Sequence, residues 1–314
     1  MTDFAIQYGE HVTRARRDGR PIVALESTIV SHGLPRPDNL RVAREIEQAV
    51  RDNGAVPATI GMIGGRLVVG LTDPEIEHLA GSDTVAKLSV RDLAVAAATG
   101  ADGATTVAAT SAVAAAAGIG VFATGGLGGV HREAGSTFDE SADLATLART
   151  PIVVVCAGVK SILDVGATLE RMETLGVAVA GYRTRRFPGF FITDGGFDLD
   201  WELTSPAQVA AVAKARTEQG VGAGALVLAN PLPADQQLDP EVHDRALHEG
   251  LDLLAREHVT GKAVTPFLLA HFHSSTHGES LAVNVRIILR NAALAAQVAA
   301  AAAPAGAPLG FAVP

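Results

Sequence analysis

Thr150-Pro-Ile-Val-Val-Val-Cys-Ala-Gly-Val-Lys160 is the stretch on which the reading of the fold turns. Ile152–Cys156 is an unbroken apolar run rich in β-branched residues, without the polar alternation of a half-exposed strand. It reads as a strand buried on both faces, as in a parallel sheet covered by helices on each side. The pattern recurs outward along the chain. Pro21-Ile-Val-Ala-Leu-Glu26, Ala58–Met62, Arg66–Val69, Gly120–Ala123, Val177–Gly181 and Ala225–Ala229 are further expected strands. Between strands, Asp38–Asn53 puts Val42, Ile46, Ala49 and Val50 on one helical face. Ile162, Val165, Leu169 and Met172 fall in helical register, with Gly176 placed to end that helix. Such alternation with short connections predicts an α/β protein, an α/β/α layered domain with a central, largely parallel sheet. No long linker or internal repeat interrupts the chain, so one domain is expected over residues 1–303, with 304–314 as a frayed tail.

Composition limits what this domain does. Hydrophobic residues make up 48% of the 314, which excludes general disorder. Aromatics are only 4% and the net charge is −9, so stacking surfaces and basic patches for a nucleic-acid polymer are lacking. The lone Cys156 excludes an intramolecular disulfide and fits a reducing, cytoplasmic compartment. The charged N-terminal segment does not read as a signal peptide, and no apolar run reaches the ~20 residues of a membrane span. The nearest is the Ala-rich stretch Ala292 to Ala303, where Gln297 points to a helix packed at the surface.

In open α/β sheets ligands bind beyond the carboxyl ends of the strands. That rule selects Glu26-Ser-Thr28, Thr124-Gly-Gly-Leu-Gly-Gly129, Ala157-Gly-Val-Lys160 and Asn230. Lys160 lies among apolar residues, a setting that favours an amine without its proton, and such an amine attacks sugar carbonyls. Lys87, in Thr84-Val-Ala-Lys-Leu-Ser-Val-Arg91, is similar. On environment alone, either lysine reads more readily as a side chain reaching past apolar neighbours to solvent. Glu26 closes an apolar strand and suits a general acid, or else caps the turn after it. The glycine-rich loop, leading to His131-Arg132, matches neither the dinucleotide fingerprint nor the P-loop. It suits an anion cradle or simply tight turns. Asp139, Glu140 and Asp143 offer oxygen ligands to a hard divalent cation, or an acidic helix start. Of His271, His273 and His277, the i, i+2 pair diverges on a helix; His273 and His277, at i, i+4, could bind a metal, but a solvated helix end explains them better.

Together these segments resemble the pseudouridine-5′-phosphate glycosidase, or indigoidine synthase A-like, family. The resemblance is carried by Pro21–Ile29 with His32-Gly-Leu-Pro35, Pro57–Gly61, Ala86–Leu93 and Gly103–Thr110. It continues through Val121–Arg132, Thr137–Leu144, Thr150–Asp164, Leu228–Pro231, Gly261–Leu269 and Gly278–Asn284, spanning about residues 5 to 303. It implies an α/β/α fold, a homotrimer, a Mn²⁺-type metal, and reversible conversion of pseudouridine 5′-phosphate and water to uracil and ribose 5-phosphate. By position it implies Lys160 as nucleophile, Glu26 as proton donor and Asp139 as metal ligand. Lys87, Val107, Ser141, Ala142 and Asp143 match substrate-binding positions, and Thr124, His131 and Asn284 further contacts. Lys87, His131 and the glycine loop are expected to hold the 5′-phosphate. Two stretches depart from the family pattern: Gly181-Tyr-Arg-Thr-Arg-Arg-Phe-Pro188, with Arg183, Arg185 and Arg186, and His271-Phe-His-Ser-Ser-Thr-His277. Neither is expected to touch the catalytic positions. The rival readings are a Schiff-base phosphosugar lyase of the class I aldolase kind, which needs no metal, and a sugar-phosphate-binding protein without turnover.

Overall fold

The computed structural model describes residues 5–259 and 263–303. Parallel strands run in the order Val56–Ile63, Ile22–Leu25, Val121–Ala123, Val153–Cys156, Leu226–Ala229, Ala178–Tyr182 and Glu202–Leu203. Every residue of Val153–Cys156 is buried. Val154 and Cys156 join Phe122 and Val227 in one apolar cluster, while Val153 and Val155 join Val23, Leu25 and Leu226 in another. Two covered faces are therefore what removes polar residues from these strands. Past Val56–Ile63 the sheet becomes mixed: Arg66–Val69 returns antiparallel to it and Gln7–Tyr8 pairs parallel at the far edge. A branch leaves the same long strand, with Gly103–Thr105 antiparallel at Gly61 and Met62, and Ala86–Leu88 parallel to Gly103–Thr105. These two three-residue strands are too short to show a period, and the second carries Lys87.

One face is covered by the helices Asp38–Asp52, Pro206–Glu218 and Glu279–Ala302. Val42, Ile46 and Val50 are buried as the helical period requires. Glu279–Ala302 is long and apolar enough to cross a membrane by length and composition. It is not the surface-packed helix expected of its alanines: Ala292, Ala295, Ala296 and Ala299 lie in the core, where small side chains let the helix rest closely on the sheet. The helix after Lys160 also starts later than its periodicity predicts. Asp164 caps Val165–Thr174 by accepting from the Ala167 amide at 2.9 Å, which leaves Ile162 buried in the preceding turn. Gly176 does follow that helix in the left-handed region, at φ +71°. The expected tail, and Gly261 and Lys262 of the resemblance, lie outside the described residues.

Candidate active site

The strand Ile22–Leu25 ends at Glu26, and the next residues fasten that end to its neighbours. The buried Ser27 hydroxyl donates to the Ile60 carbonyl at 2.6 Å and accepts from the Thr105 amide at 2.9 Å. The chain then makes a π-turn over Ile29–Gly33, a rare conformation that recurs at functional sites. Both oxygens of the Glu26 carboxylate are engaged, one by the Thr28 hydroxyl and the other by the fully buried Thr124 hydroxyl. Thr124 follows the neighbouring strand Val121–Ala123. A hydroxyl donates to a carboxylate or accepts from a carboxylic acid by rotating, so this pair holds Glu26 in place whether or not it carries a proton.

Lys160 emerges from the end of Val153–Cys156 through a loop pinned by backbone. Its amide donates to the Leu127 carbonyl at 3.1 Å, and Leu127 donates in turn to the Gly158 carbonyl at 2.9 Å. Gly158 sits at φ +83°, where a Cβ would lie 2.6 Å from the Pro188 carbonyl, so glycine is needed there for two reasons. Arg132 closes the loop from outside, donating to the carbonyls of Ser161 and Ile162 at 3.1 and 3.2 Å. Cys156, one strand position away from this loop, is wholly buried, and burial pushes its thiol up to about 12. It takes no part as a nucleophile.

Gly125, Gly126 and Gly128 of the glycine-rich loop line a cleft shared with Glu26 and Lys160, and two of the loop's amides are already taken. The Leu127 amide is taken by Gly158, and the Gly128 amide donates to Asp143 Oδ2 at 2.8 Å. Its glycines also serve close packing: a Cβ on Gly126 would lie 2.6 Å from the Phe190 ring, and one on Gly128 would overlap Ser141. Asp143, 6% exposed, also accepts from the Ala108 amide at 2.9 Å. It thereby ties the N-terminus of the helix Val107–Ala116 to the glycine loop, a favourable place for a carboxylate. The acidic cluster thus divides its work. Glu140 pairs with Arg171 at 3.0 Å, and Asp139 Oδ2 stands 3.8 Å from His131 Nδ1 on the rim.

These elements enclose a cleft of about 340 Å³ lined by Glu26, Lys87, His131, Asp139, Lys160 and Asn284 among others. Val107, Ser141, Ala142 and Asp143 line it too, and Thr124 lies behind Glu26. Asn230, at the end of Leu226–Ala229, also falls outside the lining. It donates to Asn291 at 2.9 Å, and Asn291 donates to the Thr124 carbonyl at 2.8 Å, so Asn230 supports the floor from a layer below. Asn291 and His32 were not selected from sequence. His32 stands in the His32-Gly-Leu-Pro35 block just past the strand end, which is the signal for it; Asn291, in an apolar helix, gives none. Burial first, then the nearby Lys87 cation, holds His32 below the ordinary histidine range, against a hydrogen bond to the Val85 backbone that works the other way.

The residues just past the first departing stretch reach the site without a hydrogen bond to Lys160 or Glu26 among the described residues. Gly189 bridges Gly158, and Phe190, 3% exposed, packs on Gly126 and lines the cleft. Within the stretch, Arg186 bonds Asp194 and Asp198 at 2.9 and 2.6 Å and Arg183 lies over Tyr182. In the second stretch, the helix Val264–Ser275 stops before His277, so His273 and His277 do not share a helical face. Among the described residues no three His, Cys, Asp or Glu side chains converge as a metal cage. Asp139 beside His131 instead suits a Mg²⁺- or Mn²⁺-like ion, which takes one or two carboxylates and keeps much of its water.

A parallel α/β sheet that delivers an amine and a carboxyl from separate strand ends to one cleft defines a class of enzyme-like site. A model of the family described as indigoidine synthase A like protein matches residues 11–301, and the chain belongs to that family. It is 77% identical over 299 residues to a pseudouridine-5′-phosphate glycosidase of Salinispora tropica, covering 95% of this chain and 92% of the relative. Among solved structures it is similar to the prealnumycin C-glycosynthase AlnA in complex with ribulose 5-phosphate. The TM-score is 0.88 at 37% identity, over 96% of this chain and 98% of the other. An indigoidine synthase A-like protein of Thermotoga maritima gives a TM-score of 0.84 at 32% identity, over 94% and 95% of the two chains.

Proposed function

We infer that this chain is a pseudouridine-5′-phosphate glycosidase, cleaving the C–C glycosidic bond to give uracil and ribose 5-phosphate. The observation that carries the chemistry is Glu26, held between Thr28 and Thr124 in the cleft that Lys160 also lines. Ordinary glycosidases protonate a leaving oxygen with a pair of carboxyls. Here the leaving atom is a ring carbon, which departs only after it has been protonated. The ribose C1′–O4′ bond breaks as the Lys160 amine bonds to C1′; the electron pair leaves on O4′, which takes up the proton that the nitrogen gives up. Glu26 then gives its proton to uracil C5. The C1′–C5 electron pair leaves with uracil as the lysine nitrogen lone pair forms the C1′ imine. Water hydrolyses that protonated imine, releasing ribose 5-phosphate, returning the amine and giving back to Glu26 the proton it spent. One water is consumed overall, and the reverse sequence joins the same two molecules.

Lys87 and His131 are the side chains to which we assign the 5′-phosphate, with the pinned backbone around Val107, Ser141, Ala142 and Asp143 shaping the substrate contact. Asn284 faces the neutral part of the substrate. Asp139 would hold Mn²⁺, with His131 beside it. Such an ion supplies charge neutralisation when bound. The protein is proposed to work in the cytoplasm as a homotrimer, which light scattering checks as three chains' mass. The test of function is uracil release from pseudouridine 5′-phosphate with Mn²⁺, without it and after EDTA. Metal-dependent release is expected, with borohydride trapping of the sugar on Lys160. A folded protein that releases no uracil would overturn the reading. Release undiminished by EDTA would remove the metal from it.

A further inference from the structure

Beside the main cleft lies a second chamber of about 240 Å³. His32, Gly33, Pro266, Leu269 and Asn284 line both, so the chambers share a wall. Their chemistry differs sharply. Lys87, Arg91, Asp139, Asp143 and Lys160 line the first and none of them lines the second. The second is walled by Leu34, Pro35, Phe191, Ala270 and Leu281, with Ser280 and His273 as its own polar residues. A chamber without Lys or Arg is a poor place for a phosphate, whereas an apolar recess with a few polar groups suits a neutral ring or alkyl group. Phe191 gives it a rigid wall, fixed against Phe190 and Phe272 with ring centroids 4.6 and 5.2 Å apart.

We propose that this chamber is an aglycone-extension subsite, which accepts a neutral, apolar substituent carried on the uracil ring. The inference rests on the glycosidase reading above and adds a substrate class to it: C-glycosyl ribose 5-phosphates whose base is larger than uracil. The chemical step is unchanged, since C1′ and C5 remain the bonded atoms and the substituent sits on a ring nitrogen. Only the shape of the departing base differs.

The experiment compares pseudouridine 5′-phosphate with its N1-methyl, N1-benzyl, N3-methyl and N3-benzyl derivatives, following release of the free base. At least one benzyl derivative is expected to retain kcat/KM within about thirtyfold of the parent, the scale by which hydrophobic pockets discriminate size. Ala270→Trp narrows the second chamber from an exposed helix position, so the fold tolerates it. It is expected to lower benzyl turnover by about tenfold or more while the parent substrate stays within about twofold. Leu281→Ala, which widens the chamber, should raise the benzyl rate relative to the parent. Loss of both benzyl substrates beyond thirtyfold, or an equal effect of Ala270→Trp on parent and derivative, overturns the subsite. Failure to cleave the parent itself overturns the glycosidase reading instead, and the two failures are told apart in one assay.

Discussion

On the floor of the cleft, Glu26 and Asp143 have both carboxylate oxygens engaged, Glu26 by two threonine hydroxyls and Asp143 by two backbone amides. On the rim, Asp139 faces His131 across 3.8 Å, within a flap closed by the backbone bridge Val130 to Glu140. Between the short helical turn Ala134–Thr137 and Asp139 stands Phe138, 86% exposed and left-handed at φ 56°. The floor is assembled from strand ends buried under two apolar layers, so its groups are positioned before substrate arrives. The rim is held mostly by bonds within the flap and by Arg132 and Glu140 at its ends, and its tip, residues 135–138, stands in solvent. A site divided this way can keep its reacting groups rigid while leaving charge on the rim available to an incoming phosphate or ion.

The largest test of that division is removal of the floor's reacting groups. Lys160→Ala is expected to lower uracil release by roughly 10³-fold or more, since no other group supplies the covalent bond. Glu26→Gln keeps the shape but not the transferable proton, and should cost roughly 10²- to 10⁴-fold in kcat. Both proteins should melt near the parent temperature. Turnover within tenfold of the parent for Lys160→Ala would break the assignment of the floor as the chemical centre.

Next in size is a contrast in stability between two aspartates four residues apart. Asp143→Ala leaves the Gly128 and Ala108 amides unpaired in the interior, at a cost of about 3 kcal/mol, which thermal melting reads as a drop of several degrees. Asp139→Ala, on the rim, should change stability by no more than about 0.5 kcal/mol. Equal losses would mean that the rim is as built-in as the floor. A smaller, separate effect belongs to the rim: Asp139→Asn should weaken Mn²⁺ binding by roughly tenfold or more, read by the free-ion EPR signal without any activity assay. Unchanged binding would move the metal elsewhere.

Floor and rim also differ in how far they could be read from sequence. The floor was legible because buried parallel strands announce themselves as apolar runs, and Glu26, Thr124 and Lys160 sit where those runs stop. What followed was less so. The Ala86–Leu88 strand under Lys87 is too short for a period, and Ile162 satisfied a helical register that the Asp164 cap overrode. The glycine loop reads as an anion cradle because composition cannot say which amides are already spent; here Asp143 and Gly158 take two of them. Asn291 was silent for a related reason. A polar residue inside an apolar helix declares its burial only when the helix is known to be in the core, and the alanines around it suggested a surface. Phe190 was hidden by distance, since the turn that brings it onto Gly126 depends on a bridge between Gly158 and Gly189.

The smallest expected effect is at His32, which stands where floor meets rim. Its ring lines both chambers, and Ser31 Oγ lies 2.7 Å from its Nδ1. Burial and the Lys87 cation hold its folded value below the ~6.5 of an unfolded chain. Above that value the imidazole is neutral in both states and contributes no pH dependence. As pH falls through ~6.5 the unfolded chain takes up the proton first, so stability declines until the folded value is passed, and then levels. The ring is only partly buried and solvent screens the Lys87 charge, so the decline is small. Imidazole Cε1–H NMR measures the titration directly. It should lie below the ordinary histidine range, and should move upward in Lys87→Met, where the neighbouring cation is gone. His32→Gln should flatten the pH 7.5-to-5.5 difference in denaturation midpoint. A titration that Lys87→Met leaves in place would separate His32 from Lys87, making the boundary between floor and rim a matter of burial alone.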